Sequence, residues 1–89
     1  MTALKRKDDI FMLQVRLFRL AQLEWNLSAS ECDEIFSKYE INDYISTCYD
    51  IFQVQGDDTN LADIESYVEN WSQRSDSLSR SDAEKILIN

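Results

Sequence analysis

The chain has 89 residues with a net charge of −8, one glycine, no proline and no histidine. A chain of this length forms one domain, and so few turn residues favour an all-α fold over a sheet. The missing histidine excludes Ser-His and Cys-His catalytic pairs and imidazole metal ligands, and a single glycine excludes a glycine-rich phosphate loop.

The first predicted helix runs from about Leu4 to Trp25. One side of it carries apolar residues at helical spacing, and further apolar residues widen that side beyond an ordinary amphipathic stripe. Such a wide arc predicts a central helix that neighbours cover on more than one side. The residues of this arc are Ile10, Phe11, Leu13, Val15, Leu17, Phe18, Leu20, Ala21 and Trp25.

A second helix is predicted to begin after Ser28. Ser28 occupies the N-cap position and Glu31 follows three residues later, which is the sequence signature of a capping box. Apolar residues then recur at positions i, i+3, i+4 and i+7, as on one face of a helix. These residues are Cys32, Ile35, Phe36 and Tyr39.

The same apolar series restarts in a third predicted helix, which Asn42 or Asp43 would cap. Gly56 follows this helix, where a helix end commonly needs a left-handed backbone. The short connection predicts that the second and third helices pack as a hairpin. The third stripe consists of Ile45, Cys48, Tyr49 and Phe52. Both cysteines therefore lie on core stripes, which favours buried free thiols, with a disulfide or a reactive thiol as alternatives.

Asn60 is predicted to cap a further helix bearing Leu61, Ile64, Tyr67, Val68 and Trp71. Residues 1–72 would thus form a compact bundle of three to four main helices. The serine-rich residues 73–81 have no apolar periodicity and are predicted to be a flexible connector. Residues 82–89 would form a short helix or strand, and they carry three candidate partner-binding residues, Ile86, Leu87 and Ile88.

The negative charge is concentrated in the middle of the chain. Residues 1–26 carry five bases and three acids, whereas residues 27–72 carry one base and eleven acids. An acidic surface of this kind repels nucleic acid and attracts a basic protein surface, although acidic residues also keep small domains soluble. The candidate contacts on this surface are Asp43, Asp50, Asp57 and Asp58, together with Tyr44, which falls off the apolar stripe and is expected to be exposed.

The run NLSASECDEIFSKYEINDYISTCYDIFQVQG, followed by LADIESYVENW, resembles a small bacterial family of unknown function, the one numbered thirty-seven ninety-one. The resemblance covers residues 10–71. It includes an aromatic-rich first helix, the tripeptide Asn-Leu-Ser before the second helix, the dipeptides Lys-Tyr and Tyr-Asp in the middle of the chain, and the dipeptide Asp-Ile in the last helix. Family members often carry a histidine just before the glycine, where this chain has Phe52 and Gln53. Any role that depends on that imidazole is therefore in doubt for this chain.

The resemblance also implies a partner. Members of this family are frequently encoded beside proteins similar to ADP-ribosyltransferases, an arrangement that resembles a toxin with its antitoxin. The expected function is therefore a non-enzymatic acidic protein-binding module, whose partner would be a protein with a basic surface, such as an ADP-ribosyltransferase-like toxin that it occludes.

Two alternatives stay open, namely a nucleic-acid mimic that inhibits a DNA-handling or defence enzyme, and a structural homodimer that buries the wide face of the first helix. We expect no cofactor and no direct binding of nucleic acid. An EF-hand register that starts at Asp58 fails because Asp63 replaces the required glycine. No apolar run is long enough to span a membrane, and charges interrupt the N-terminus, so a cytoplasmic protein is expected.

Overall fold

A computed structural model describes residues 3–74 of the chain, with side chains described for residues 6–71. Five helices follow one another in this part of the chain, and none of its residues forms a strand. They are α1 (Ala3–Glu24), α2 (Ala29–Lys38), α3 (Ile41–Thr47), α4 (Tyr49–Phe52) and α5 (Asp57–Arg74). The predicted all-α bundle is confirmed. The helix α5 continues two residues into the predicted connector, whereas residues 75–89 lie outside the described residues.

Helix α1 is the central element, because it contacts α2, α3 and α5. Its buried residues recur every four positions, so they form one continuous stripe from Leu13 to Trp25. The predicted arc is too wide at the N-terminal half, where Phe11 remains 61% exposed. The buried core of the bundle consists of Leu13, Leu17, Ala21, Trp25, Cys32, Ile35, Phe36, Tyr39, Ile41, Ile45, Tyr49, Phe52, Leu61, Ile64 and Val68.

The capping box at the start of α2 is confirmed. The Ser28 hydroxyl accepts a 3.1 Å hydrogen bond from the Glu31 amide, and the Glu31 carboxylate accepts a 3.0 Å hydrogen bond from the Ser28 amide. These two bonds satisfy donors that the first turn of a helix otherwise leaves without partners. The predicted stripe of α2 is buried on its inner face, and Cys32 lies fully within the core.

The connection between α2 and α3 is tighter than the sequence predicts. Glu40 adopts a left-handed backbone (φ 50°, ψ 44°), and α3 begins directly at Ile41. Asn42 and Asp43 therefore lie in the first turn of α3, so the prediction that one of them caps the helix is wrong. Ile41 is completely buried. Its burial in the core explains why α3 begins at this residue, before the polar residues that the sequence predicts as the cap.

The predicted third helix is divided into two short helices at Cys48, whose backbone (φ −98°, ψ 15°) leaves helical geometry. Its apolar stripe nevertheless faces the core, since Ile45, Tyr49 and Phe52 are buried and Cys48 is partly buried. Both cysteines are free thiols. The prediction that they lie in the core is confirmed for Cys32, and Cys48 packs at its edge.

Two predictions for the start of α5 are wrong. Gly56 does not have a positive φ, and its carbonyl oxygen instead accepts a 3.0 Å hydrogen bond from the Asn60 amide, which opens the helix. Asn60 therefore lies inside the first turn and is not the cap. Its side chain is fully buried and donates a 2.8 Å hydrogen bond to the carbonyl oxygen of Phe52.

Candidate functional site: an acidic surface beside an aromatic groove

Two arginines of α1 neutralise two of the predicted contact residues. Arg6 lies 3.0 Å from the Asp50 carboxylate, and its guanidinium is 5.1 Å from the centroid of the Tyr49 ring. Arg16 donates two hydrogen bonds of 2.7 and 3.0 Å to Asp57, and this contact raises the pKa of Arg16 further. Asp50 of α4 and Asp57 of α5 thus link their two helices to α1.

Four other carboxylates line two adjacent depressions that share Glu40, and we call these four residues the acidic surface. Asp33, Glu40 and Asp43 line a shallow cleft of about 220 Å³ between α2 and α3. Glu40 also lines the adjacent groove, which Asp63 of α5 shares. None of these four residues forms an ion pair with a lysine or arginine in the described part of the chain. The acidic surface therefore carries negative charge that the rest of the described bundle leaves available.

The adjacent groove lies between the start of α3 and the outer side of α5, and we call it the aromatic groove. It has a volume of about 720 Å³. The rings of Tyr44 and Tyr67 stack in it with a centroid distance of 4.0 Å and an interplanar angle of 10°, and Trp71 meets Tyr67 edge to face at 5.7 Å. The described residues that line it are Glu40, Tyr44, Asp63, Ser66, Tyr67, Asn70 and Trp71.

The core holds these rings in position. The Tyr67 hydroxyl donates a 2.7 Å hydrogen bond to the carbonyl oxygen of Tyr39, and the Tyr39 ring meets Trp71 edge to face at 5.4 Å. Tyr44 contacts the buried Phe52 in the same manner at 5.6 Å. Rings that are fixed by their neighbours lose little conformational entropy when a ligand arrives, so the groove is preorganised.

Burial raises the pKa of both groove tyrosines, and neighbouring acidic groups raise it further. For Tyr44 the neighbours are Cys48, Asp63 and Tyr67, and for Tyr67 they are Glu40 and Asp43. Both phenols are therefore neutral at physiological pH, and the negative charge of the groove comes from its carboxylates. The same neighbours indicate that Glu40, Asp43 and Asp63 lie close to the stacked rings.

The structure brings some of the predicted contact residues together and separates others. Asp43 is exposed on the acidic surface. Tyr44 lies beside it but is half-buried, because it packs on Tyr67 and Phe52, so the expectation of a freely exposed ring is wrong. Asp58 is exposed in the first turn of α5, away from the lining of the groove. Ile86, Leu87 and Ile88 lie outside the described residues.

Sequence reasoning did not assign Asp63, Tyr67 and Trp71 to a site, although a signal for it exists. These residues follow one another at intervals of four, so they form one stripe along α5. The apolar periodicity of this helix placed Tyr67 with the core residues on its apolar face. The stripe beside it, which combines two aromatic rings with a carboxylate, is the wall of the groove.

Burial chiefly, and the charge of Asp33 secondarily, raise the pKa of the Cys32 thiol to about 11, so this thiol stays protonated at neutral pH. Within residues 6–71 no three histidine, cysteine or carboxylate side chains lie close enough together to hold a metal ion. No helix in the described part of the chain is long and apolar enough to cross a membrane. The arrangement as a whole is that of a small acidic helical bundle with a preformed surface groove.

The chain belongs to a family of proteins of unknown function, DUF3791, whose model matches residues 13–71. The match begins within α1 and ends at Trp71, so it includes the acidic surface and the aromatic groove. It confirms the resemblance on which the sequence analysis relied. Comparison with curated proteins and with solved structures finds no match.

Proposed function

We propose that the protein is a non-enzymatic module that binds a protein partner carrying a basic surface. The observation that supports this proposal is the acidic surface of Asp33, Glu40, Asp43 and Asp63, which borders a preformed aromatic groove. A surface of this kind attracts a positively charged partner over distances comparable to the Debye length. Aromatic residues at its centre supply the contact area typical of binding hot spots.

The distribution of charge pairs supports the same proposal. The helix α1 uses Arg6 and Arg16 to hold Asp50 and Asp57, so these carboxylates stabilise the bundle itself. The acidic surface has no such internal partner within residues 6–71. Of the acidic residues first considered as contacts, Asp43 and Asp58 form no such pair within residues 6–71, and only Asp43 belongs to the acidic surface.

A finer proposal names the partner, and it relies on the family resemblance alone. Members of the family resemble antitoxins encoded beside ADP-ribosyltransferase-like toxins. We propose that this chain neutralises such a protein by covering a basic cleft that binds its cofactor or substrate. Addition of the chain to a neighbouring ADP-ribosyltransferase-like protein is then expected to lower its transferase activity, and unchanged activity at a severalfold excess would refute this finer proposal.

The broader proposal is tested by partner capture with variants matched in charge. The immobilised full chain, the acidic-surface variant Asp33→Asn/Asp43→Asn and the control variant Asp8→Asn/Glu24→Gln are incubated with a bacterial lysate at low salt. Both variants lose two negative charges, but the control loses them from α1. A specific partner should be retained by the wild type and the control and depleted on the acidic-surface variant. Equal retention on all three would refute a role for the acidic surface.

The same experiment distinguishes the mimicry alternative. A mimic of nucleic acid would retain DNA-handling or defence enzymes, and free DNA would compete with it for them. An occluding module would retain its partner in the presence of excess DNA, because apolar contacts such as those of Tyr44 also hold the partner in place.

A second candidate function, self-association, is favoured by one observation. The outer face of α1 exposes Phe11 and Met12, each by 61%, and Leu23 by 78%. Between Val15 and Leu23 this face carries a shallow depression of about 540 Å³. Apolar residues that are concentrated on one exposed face are typical of a protein interface. A homodimer through α1 would leave the acidic surface free for another partner.

A further inference from the structure

The aromatic groove combines the two chemical features that recognise a guanidinium group. Aromatic faces attract cations through the ring quadrupole, and carboxylates accept charge-assisted hydrogen bonds from the planar fork of N–H donors. Tyr67 and Trp71 supply the rings, and Glu40 and Asp63 supply the carboxylates, all of them lining one groove. Among the residues whose side chains the structure describes, no lysine or arginine lines it.

The bundle itself shows how such a pair of groups holds an arginine. On the opposite side of α3 and α4, the Arg6 guanidinium lies over the Tyr49 ring at 5.1 Å and makes a 3.0 Å ion pair with the neighbouring Asp50. One aromatic ring and one carboxylate are thus sufficient to position a guanidinium on this fold. The aromatic groove likewise combines rings with carboxylates, but it has more of each, and no lysine or arginine of residues 6–71 lines it.

We propose that the aromatic groove binds an arginine side chain of the partner protein, which would lie against the rings of Tyr67 and Trp71 and pair with Glu40 and Asp63. Because the two rings are nearly perpendicular, the planar guanidinium would stack on the face of one ring and contact the other at its edge. This inference rests on the proposed function and specifies its central contact. Arginine fits better than lysine, because a planar guanidinium stacks on aromatic faces and engages two carboxylate oxygens at once, whereas an ammonium group acts as a point charge. The groove would therefore anchor one residue, while Asp33 and Asp43 attract the surrounding basic surface.

The geometry of the rings supports an anchor rather than a diffuse attraction. The stack of Tyr44 on Tyr67 and the hydrogen bond from Tyr67 to Tyr39 fix the groove before a ligand binds. Both tyrosines remain neutral at physiological pH, so they offer uncharged faces to the cation. Side chains at the centre of an interface with this composition carry a large share of the binding energy.

The test is an NMR titration of the full chain, labelled with ¹⁵N, with three N-acetylated peptide amides, namely tetra-arginine, tetra-lysine and tetra-citrulline. Citrulline keeps the shape of arginine but is uncharged. We expect tetra-arginine to shift the amides of Tyr44 and Tyr67 and the indole N–H of Trp71. Tetra-lysine should bind more weakly, and tetra-citrulline should give no shifts at these positions.

Two matched variants localise the binding. In the groove variant Glu40→Gln/Asp63→Asn, affinity for tetra-arginine should fall by at least roughly tenfold, whereas the control Asp8→Asn/Glu24→Gln should stay within about twofold. Both variants keep side-chain size and change the net charge equally, and a native amide spectrum verifies that each is folded. Trp71→Leu should also weaken binding, since it removes one ring of the groove.

Several outcomes would overturn the inference, and they differ from failure of the proposed function. Equal losses in the groove and control variants would show that only overall charge matters, and equal binding of tetra-lysine would remove arginine as the preferred ligand. Binding that appears only after Arg80→Gln would mean that the chain's own arginine fills the groove. If no peptide binds while partner capture still depends on Asp33 and Asp43, the inference fails and the proposed function stands.

Discussion

Asn60 donates a hydrogen bond of 2.8 Å to the backbone carbonyl oxygen of Phe52, and the Asn60 side chain is completely buried. The bond joins the first turn of α5 to the end of α4, across the short connection that contains Gly56. The side chain of Asn60, which the sequence predicts to cap α5, thus makes a tertiary contact with the end of α4 instead. The orientation of α5, and with it the position of one wall of the aromatic groove, depends on this contact.

The substitution Asn60→Ala is expected to lower the free energy of unfolding by about 1 to 3 kcal/mol, because the Phe52 carbonyl loses its buried donor. Chemical denaturation followed by circular dichroism measures the change. Asn70→Ala is the matched control, since it makes the same chemical change at an exposed position of α5. Equal effects of the two substitutions would contradict a structural role for the buried amide.

Removal of the N-cap of α2 by Ser28→Ala should cost about 1 kcal/mol of stability. The Ser28 hydroxyl is the acceptor for the Glu31 amide, and that donor lies in the first turn, where no helical carbonyl can reach it. Ser30→Ala, an exposed position within α2, should change stability by less than about 0.5 kcal/mol. Thermal unfolding of both variants compares them directly, and a larger loss for Ser30→Ala would refute the assignment.

The buried thiol of Cys32 makes stability depend on pH in the alkaline range. Its pKa is raised from 9.0 to about 11 in the folded state, so the folded protein retains this proton between those values while the unfolded chain releases it. The contribution is present in full below pH 9 and decreases as the pH rises through 11, by about 2 to 3 kcal/mol in total. Denaturation at pH 8 and at pH 10 should therefore show lower stability at the higher pH.

Cys32→Ala provides the control for this pH dependence. The variant is less stable at pH 8, because it loses buried volume, but its stability should decrease less between pH 8 and pH 10. Tyr44 and Tyr67 also have a raised pKa, so they add a loss of stability that starts as the pH approaches 10 and that the wild type and the variant share. The same decrease in wild type and variant would contradict the assignment of the effect to Cys32.

Self-association through α1 is expected to appear in sedimentation equilibrium as a dimer whose fraction rises with concentration. Phe11→Lys places a charge in the centre of the exposed apolar face and should yield a monomer with an unchanged circular dichroism spectrum. Ile51→Lys, at an exposed apolar position of α4, is the control and should leave the dimer intact. A wild-type chain that remains monomeric at millimolar concentration would refute this candidate function.

Much of the fold could be predicted from the sequence, because local chemistry determines it. The capping box at Ser28 and Glu31 and the apolar periodicities of α1, α2 and α5 are signals that act within a few residues. The predictions that failed concern Asn42, Gly56 and Asn60. At Asn42 the burial of the preceding Ile41, and at Asn60 the bond to Phe52, determined the backbone in place of the local cap preference, whereas Gly56 starts α5 by accepting a hydrogen bond from the Asn60 amide.

The site was less predictable than the fold. Charge counting located the acidic region, but it could not distinguish Asp50 and Asp57, which pair with arginines from α1, from Asp43, which forms no ion pair within residues 6–71. These pairs join residues 41 to 44 positions apart in the sequence. The aromatic groove likewise requires α3 and α5 to lie side by side, so Tyr44 and Tyr67 meet only in the folded chain.

The measurement that tests the central claim most directly is the dissociation constant of the captured partner as a function of salt, for the wild type, Asp33→Asn/Asp43→Asn and Asp8→Asn/Glu24→Gln. An interface formed by the acidic surface predicts weaker binding at higher salt, and at least about threefold weaker binding for the acidic-surface variant than for the control at low salt. A dissociation constant that does not change with salt and is equal for all three proteins would contradict the proposal that this surface binds the partner.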